Sequence, residues 1–183
     1  MSEPEGGDRW VFGYGSLMWR PGFAHVETTR ARLHGYHRAL CVRSFVHRGT
    51  PERPGLVLGL DRGGSCVGLG FRVPGALRGE VLEYLRGREL VTSVYLERTL
   101  PARLQDGRSV DALCYVVDRT HPQYSGSLEA CEAAQIVAGA TGISGNNRDY
   151  VLSTLTHLEA LGIRDPWLDE VGRRLGTGES AAD

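Results

Sequence analysis

The spacing of apolar residues changes along the chain, and this change limits the fold more than any other feature. Up to about residue 117, apolar residues come in short runs or alternate with polar ones, as strands do. After residue 128 they recur at helical spacing. Strands are expected at 10–12, late in 31–43, at 56–60, 66–71, 94–100 and 109–117. In the last of these, Val110, Ala112, Cys114 and Val116 share one face. Asp61-Arg62-Gly63-Gly64 reads as a hairpin turn. One internal helix is expected over 77–90. Later helices are expected over 128–138, from near Arg148 with Asn146 or Asn147 as cap, and over 166–175. The pattern predicts an α+β fold in one domain, residues 10–175, with flexible ends at 1–9 and 176–183.

Composition removes several function classes. Hydrophobic residues are 41% and charged residues 23%, which excludes a disordered chain. A net charge of -1 argues against a broad electrostatic grip on nucleic acid or a membrane. No apolar run is long enough to span a bilayer as a helix. The start, Met1 to Arg9, lacks the basic and apolar regions of a secretory signal, so a cytoplasmic location with reduced cysteines is expected. The cysteines at 41, 66, 114 and 131 form no CxxC pair, and no metal is expected. Lysine is absent, which rules out a Schiff base or a P-loop. No cofactor is expected.

Two places carry chemistry. The first is Gly13-Tyr14-Gly15-Ser16-Leu17-Met18, directly after an apolar strand. Flanking glycines let several N–H groups converge on an anion, and Ser16 adds a hydroxyl. A plain tight turn, with Tyr14 as packing, explains the same residues equally well. Met18 stands where a dinucleotide fingerprint needs glycine. The second place is Glu89. On a helical wheel it falls inside the apolar arc of Val81, Leu82, Tyr84 and Leu85; Glu83 faces away and Glu80 lies outside the arc. A carboxylate on a core-facing stripe must be paired or used. A bond to Arg86 or Arg88, or a frayed helix end, is the alternative to catalysis. Arg43 and Arg48 could receive a carboxylate, and Tyr115 and Tyr150 read as packing.

Taken together, these segments resemble the ChaC family of glutathione-specific γ-glutamylcyclotransferases. The matching blocks are Val11–Trp19, Arg48–Leu58, Cys66-Val67-Gly68, Phe71–Pro74, Arg88–Thr92 with Tyr95, and Ser144–Tyr150. The resemblance implies a γ-glutamylcyclotransferase-like mixed β-barrel with flanking helices. It implies a carbon–nitrogen lyase that converts glutathione to 5-oxoproline and cysteinylglycine, with Glu89 as acid/base and Gly13–Met18 holding the γ-glutamyl group. Glu80 matches a second family glutamate. Ser93 stands where glycine is expected, and Gly87 interrupts the helix before Glu89. Other γ-glutamyl amines or amino acids as substrate, or a noncatalytic binding protein on this fold, are the alternatives.

Overall fold

A computed structural model describes residues 6–176. Five strands, β1 (Arg9–Gly13), β2 (Glu27–Ser44), β3 (Gly55–Val73), β4 (Tyr95–Leu104) and β5 (Ser109–Val117), close into a barrel in the order β1-β3-β2-β4-β5. Helix α1 (Arg78–Glu89) lies between β3 and β4 in sequence. Helices α2 (Ala130–Gly139), α3 (Asn147–Ala160) and α4 (Pro166–Gly176) follow, with a two-residue hairpin, β6 (Thr141–Gly142) and β7 (Gly145–Asn146), before α3. The barrel is mixed. β1 runs antiparallel to β3, with Val11 opposite Phe71, and parallel to β5, with Trp10 opposite Ala112. No helix is long and apolar enough to cross a membrane among the described residues.

Two compact units divide the chain: Met1–Arg38 with Leu60–Asp118, and Ala39–Gly59 with Arg119–Asp183. Strands β2 and β3 run through both. In the first unit, Val81 and Leu85 of α1 join Val11, Phe71, Val73, Leu113 and Tyr115 of the strands in one core cluster. Leu85 is fully buried. Burying a side chain of that size contributes about 1.5–3 kcal/mol, which fixes the helix against the strands. Arg86 and Arg88 in its last turn complement the helix dipole.

In the second unit α2, α3 and α4 pack on one another. The α3 stripe is Val151, Thr154 and Leu158, with Asn147 completely buried at its start. Asn146 caps the helix: its Oδ1 accepts from the Asp149 amide at 2.8 Å. Asn147 mimics a strand partner, accepting from the Leu56 amide at 2.8 Å and donating to the Leu56 carbonyl at 2.8 Å. Tyr150 Oη accepts from the Leu58 amide at 3.0 Å. The Ser144–Tyr150 motif is therefore a splice that starts α3 and holds the first residues of β3.

Two sequence expectations, the hairpin at 61–64 and the burial of Tyr84, need correction, and the one-face reading of β5 holds but is incomplete. The hairpin at 61–64 is absent, because β3 continues through it. Gly63 and Gly64 do take positive φ, 100° and 67°, but they distort the strand rather than reverse it. β5 is buried on both faces from Ala112 to Val117, so Leu113, Tyr115 and Val117 are as interior as their neighbours. Tyr84 sits at the edge of the α1 stripe and is 39% exposed. Within the ends expected to be flexible, residues 1–5 and 177–183 lie outside the described residues. Asp8 bonds Arg72 at 2.6 Å and accepts from the Gly75 amide at 3.1 Å.

Candidate active site

The glycine-bearing loop begins where β1 stops at Gly13 and ends in one 3-10 turn, Ser16–Met18. The Met18 amide donates to the Gly15 carbonyl at 2.9 Å, and the Arg20 amide to the Ser16 carbonyl at 2.7 Å. Gly13, Tyr14, Gly15, Leu17 and Met18 are buried, while Ser16 is exposed. Apolar side chains thus anchor the loop and Ser16 presents its polar atom outward. The turn consumes the Met18 amide. The amides of Gly15, Ser16 and Leu17 are the loop's candidates for an anion.

Arg38 and Gly68 keep the loop in place. Arg38, on β2 and only 5% exposed, donates from Nε to the Tyr14 carbonyl at 2.6 Å and from Nη2 to the Val67 carbonyl at 2.8 Å. Those carbonyls are what make a buried guanidinium tolerable. On β3, a Cβ at Gly68 would stand 2.2 Å from the Gly13 carbonyl oxygen, so any side chain there would displace the loop. Sequence reading missed Arg38. Its only signal is an arginine directly before the apolar run Ala39–Val42 of the strand, and that does not reveal which carbonyls it meets.

Glu89 is the last residue of α1, and its side chain is 18% exposed. Burial pushes its carboxyl above the ordinary glutamate value, and the neighbouring Arg88 charge opposes that rise. Arg88 Nε lies 3.5 Å from Glu89 Oε1. Glu80 and Glu83 are exposed, so the wheel separates the three acids as the structure does. A half-hidden carboxylate with a raised pKa suits a proton acceptor near neutral pH.

Arg86, the other expected partner of Glu89, instead grips Glu97 with two hydrogen bonds of 3.0 and 2.9 Å. Buried Tyr115 donates its hydroxyl to Glu97 at 3.1 Å. Burial raises the Tyr115 phenol strongly; the Glu97 and Glu89 charges add to the rise. Tyr115 is thus a polar neighbour of the site as well as packing. Glu97 was not legible in the sequence, because its role depends on the cross-strand register that sets it opposite Tyr115. After α1 the chain turns at Ser93, whose φ of 60° is the one positive value at a non-glycine among the described residues. The expected glycine at 93 thus has a backbone reason.

Arg43 and Arg48 belong to the second unit. The Arg43 amide donates to the Gln123 carbonyl at 2.7 Å. Arg48 donates to the Asn146 carbonyl at 3.3 Å and stacks over Tyr150 at 5.4 Å. The structure thus brings residues 44–50 and 144–150 together, and it gathers the loop, Glu89 and Tyr115 in the first unit.

Comparison with known proteins bears on this arrangement. The family model described as ChaC-like protein matches residues 9–175. The chain belongs to the ChaC-like family. A glutathione-specific γ-glutamylcyclotransferase of Escherichia coli (strain K12) is 38% identical over 168 residues, covering 92% of this chain and 73% of that relative. The mouse glutathione-specific γ-glutamylcyclotransferase 1 is 34% identical over 175 residues, covering 92% and 78%. Among solved structures, a yeast γ-glutamyl cyclotransferase specific to glutathione superposes with a TM-score of 0.82 at 22% identity, covering 93% and 96%. The mixed barrel with flanking helices expected from the resemblance is therefore the fold of this ChaC-like chain.

Proposed function

We infer that this chain is a glutathione-specific γ-glutamylcyclotransferase, cleaving glutathione to 5-oxoproline and cysteinylglycine. The observation that carries the reading is Glu89, a half-buried carboxylate with a raised pKa on the helix packed beside the glycine-bearing loop's own core cluster. Kinship with relatives bearing that name supports it.

Glutathione offers its own nucleophile. The α-amine of the glutamyl residue closes a five-membered ring on the γ-carbonyl, so proximity lowers the barrier before the protein acts. That amine is mostly protonated at neutral pH, with a pKa near 8 in peptides. Glu89 takes a proton from the ammonium, and the nitrogen attacks the γ-carbon. The carbonyl oxygen becomes an oxyanion, met by the Gly15, Ser16 and Leu17 amides and the Ser16 hydroxyl. The C–N bond to cysteine breaks as its nitrogen is protonated. Across the reaction two protons leave the α-nitrogen and two reach the leaving nitrogen, and Glu89 relays them one at a time. No water is consumed.

Within this reading Gly13, Tyr14, Gly15, Ser16, Leu17 and Met18 shape the glutamyl site, and Glu89 is the catalytic residue. Glutathione is the small-molecule partner. A substrate panel tests specificity: 5-oxoproline release from glutathione should exceed that from γ-glutamylalanine or γ-glutamylamines by at least about tenfold, the net worth of one hydrogen bond. Equal release from all three would replace the reading with a general γ-glutamyl cyclotransferase.

A further inference from the structure

Arg88 contacts both the loop and Glu89, and a salt bridge to Glu89 does not account for most of those contacts. It stands on α1 directly before Glu89. Its Nη2 donates to Ser16 Oγ at 2.9 Å. Its Nη1 donates to the Arg20 carbonyl at 2.6 Å, with longer contacts to the Pro21 carbonyl at 3.4 Å and the Tyr84 hydroxyl at 3.2 Å. Its Nε faces Glu89 Oε1 at 3.5 Å. The edges of the planar fork therefore serve different ends. One holds the loop's far end, one holds Ser16, and one faces the acid/base.

A guanidinium only donates. Ser16 must therefore accept from Arg88, so the hydroxyl's own hydrogen is directed away from Arg88. Ser16 is the exposed residue of the loop, and a positive donor on its oxygen makes that hydrogen a stronger donor. One planar group touches both Ser16 and Glu89, so both lie within the span of a single substrate head group.

We propose that Arg88 is a positioning residue for this reaction: its guanidinium fork fixes the Ser16 hydroxyl as a hydrogen-bond donor to the γ-glutamyl group and partners the Glu89 carboxylate. The inference rests on the functional reading above. Among the described residues, the titratable groups that interact electrostatically with Glu89 are Arg88 on its own helix and Tyr115 on β5. Tyr115 donates to Glu97 and stays neutral near pH 7, so Arg88 is the charge that sets the balance against burial. A lysine would keep the charge but cannot serve three edges at once.

Two variants separate the two roles. In Arg88→Gln, KM for glutathione should rise at least about tenfold, the loss expected for one charge-assisted hydrogen bond. The acidic limb of kcat/KM should also move to higher pH, because Glu89 loses the charge that favours its ionised form. In Arg88→Lys the limb should return toward wild type while KM stays raised. Ser16→Ala combined with Arg88→Lys should raise KM no further than either change alone, because both remove the same interaction. The Glu89 carboxyl resonance, assigned by its loss in Glu89→Gln, gives a readout that needs no turnover. Its titration midpoint should move upward in Arg88→Gln. If that midpoint and KM both match wild type in folded Arg88→Gln, or if the Ser16 and Arg88 effects simply add, the positioning role is wrong. Absence of 5-oxoproline from wild type would instead defeat the functional reading, while the carboxyl titration would still judge Arg88.

Discussion

Glu89 carries two properties that pull against each other. Its raised pKa makes it a useful base, and the same rise means that its ionised form is less comfortable folded than unfolded. The sign follows directly. A carboxyl that binds protons more tightly when folded favours the folded state in acid and loses that advantage once both states are ionised at neutral pH. Glu89→Gln should therefore lose at least about 100-fold in turnover, the lower range for a positioned acid/base, while its Tm at pH 7 stays at or above wild type. The Tm difference should narrow as the pH falls from the raised folded value of Glu89 to the ordinary glutamate value. Glu83→Gln, exposed and away from the apolar stripe of α1, should leave turnover unchanged. Turnover and thermal melts of the two purified variants check this, and a large loss at Glu83 would contradict it. Cys114 is a poor rival for catalysis at this scale: burial pushes its thiol up to about 12, far from a thiolate.

Among the elements, α1 and the loop after β1 were the most legible. The helix showed itself through the spacing of Val81 and Leu85, and Glu89 through its place beside that stripe. Glu97 and Arg38 were hidden, because their partners are residues 18 and 24 positions away and local pattern says nothing about them. The false turn at 61–64 has a local cause: two glycines with positive φ look the same whether the strand reverses or only distorts. The segment after α1 is the weak point. Ser93 holds φ at 60°, where a Cβ is disfavoured. Ser93→Gly should stabilise the protein by about 0.5–1 kcal/mol, after allowing for glycine's larger unfolded-state freedom. Thermal denaturation should show a Tm higher by about 1–4 °C. A lower Tm would mean that the serine side chain stabilises more than its backbone costs.

For the whole molecule, β2 and β3 cross from one compact unit into the other, so neither unit can unfold without tearing strands of the other. We expect one cooperative transition, coincident by near-UV circular dichroism and by far-UV signal. Two separated transitions would show the units to be independent. The change of apolar period was enough to read an α+β chain; the closed barrel and its mixed pairing came from the family resemblance and the structure, since strand order leaves no mark on period. The central claim is intramolecular cyclisation, and isotope-labelled water tests it most directly. Glutathione is turned over in H2-18O, and the first products are analysed by mass. The account predicts 5-oxoproline and cysteinylglycine in equal amounts with no 18O in either, because the α-amine and not water attacks the γ-carbonyl. Free glutamate carrying 18O in its γ-carboxyl would contradict it and make the protein a hydrolase.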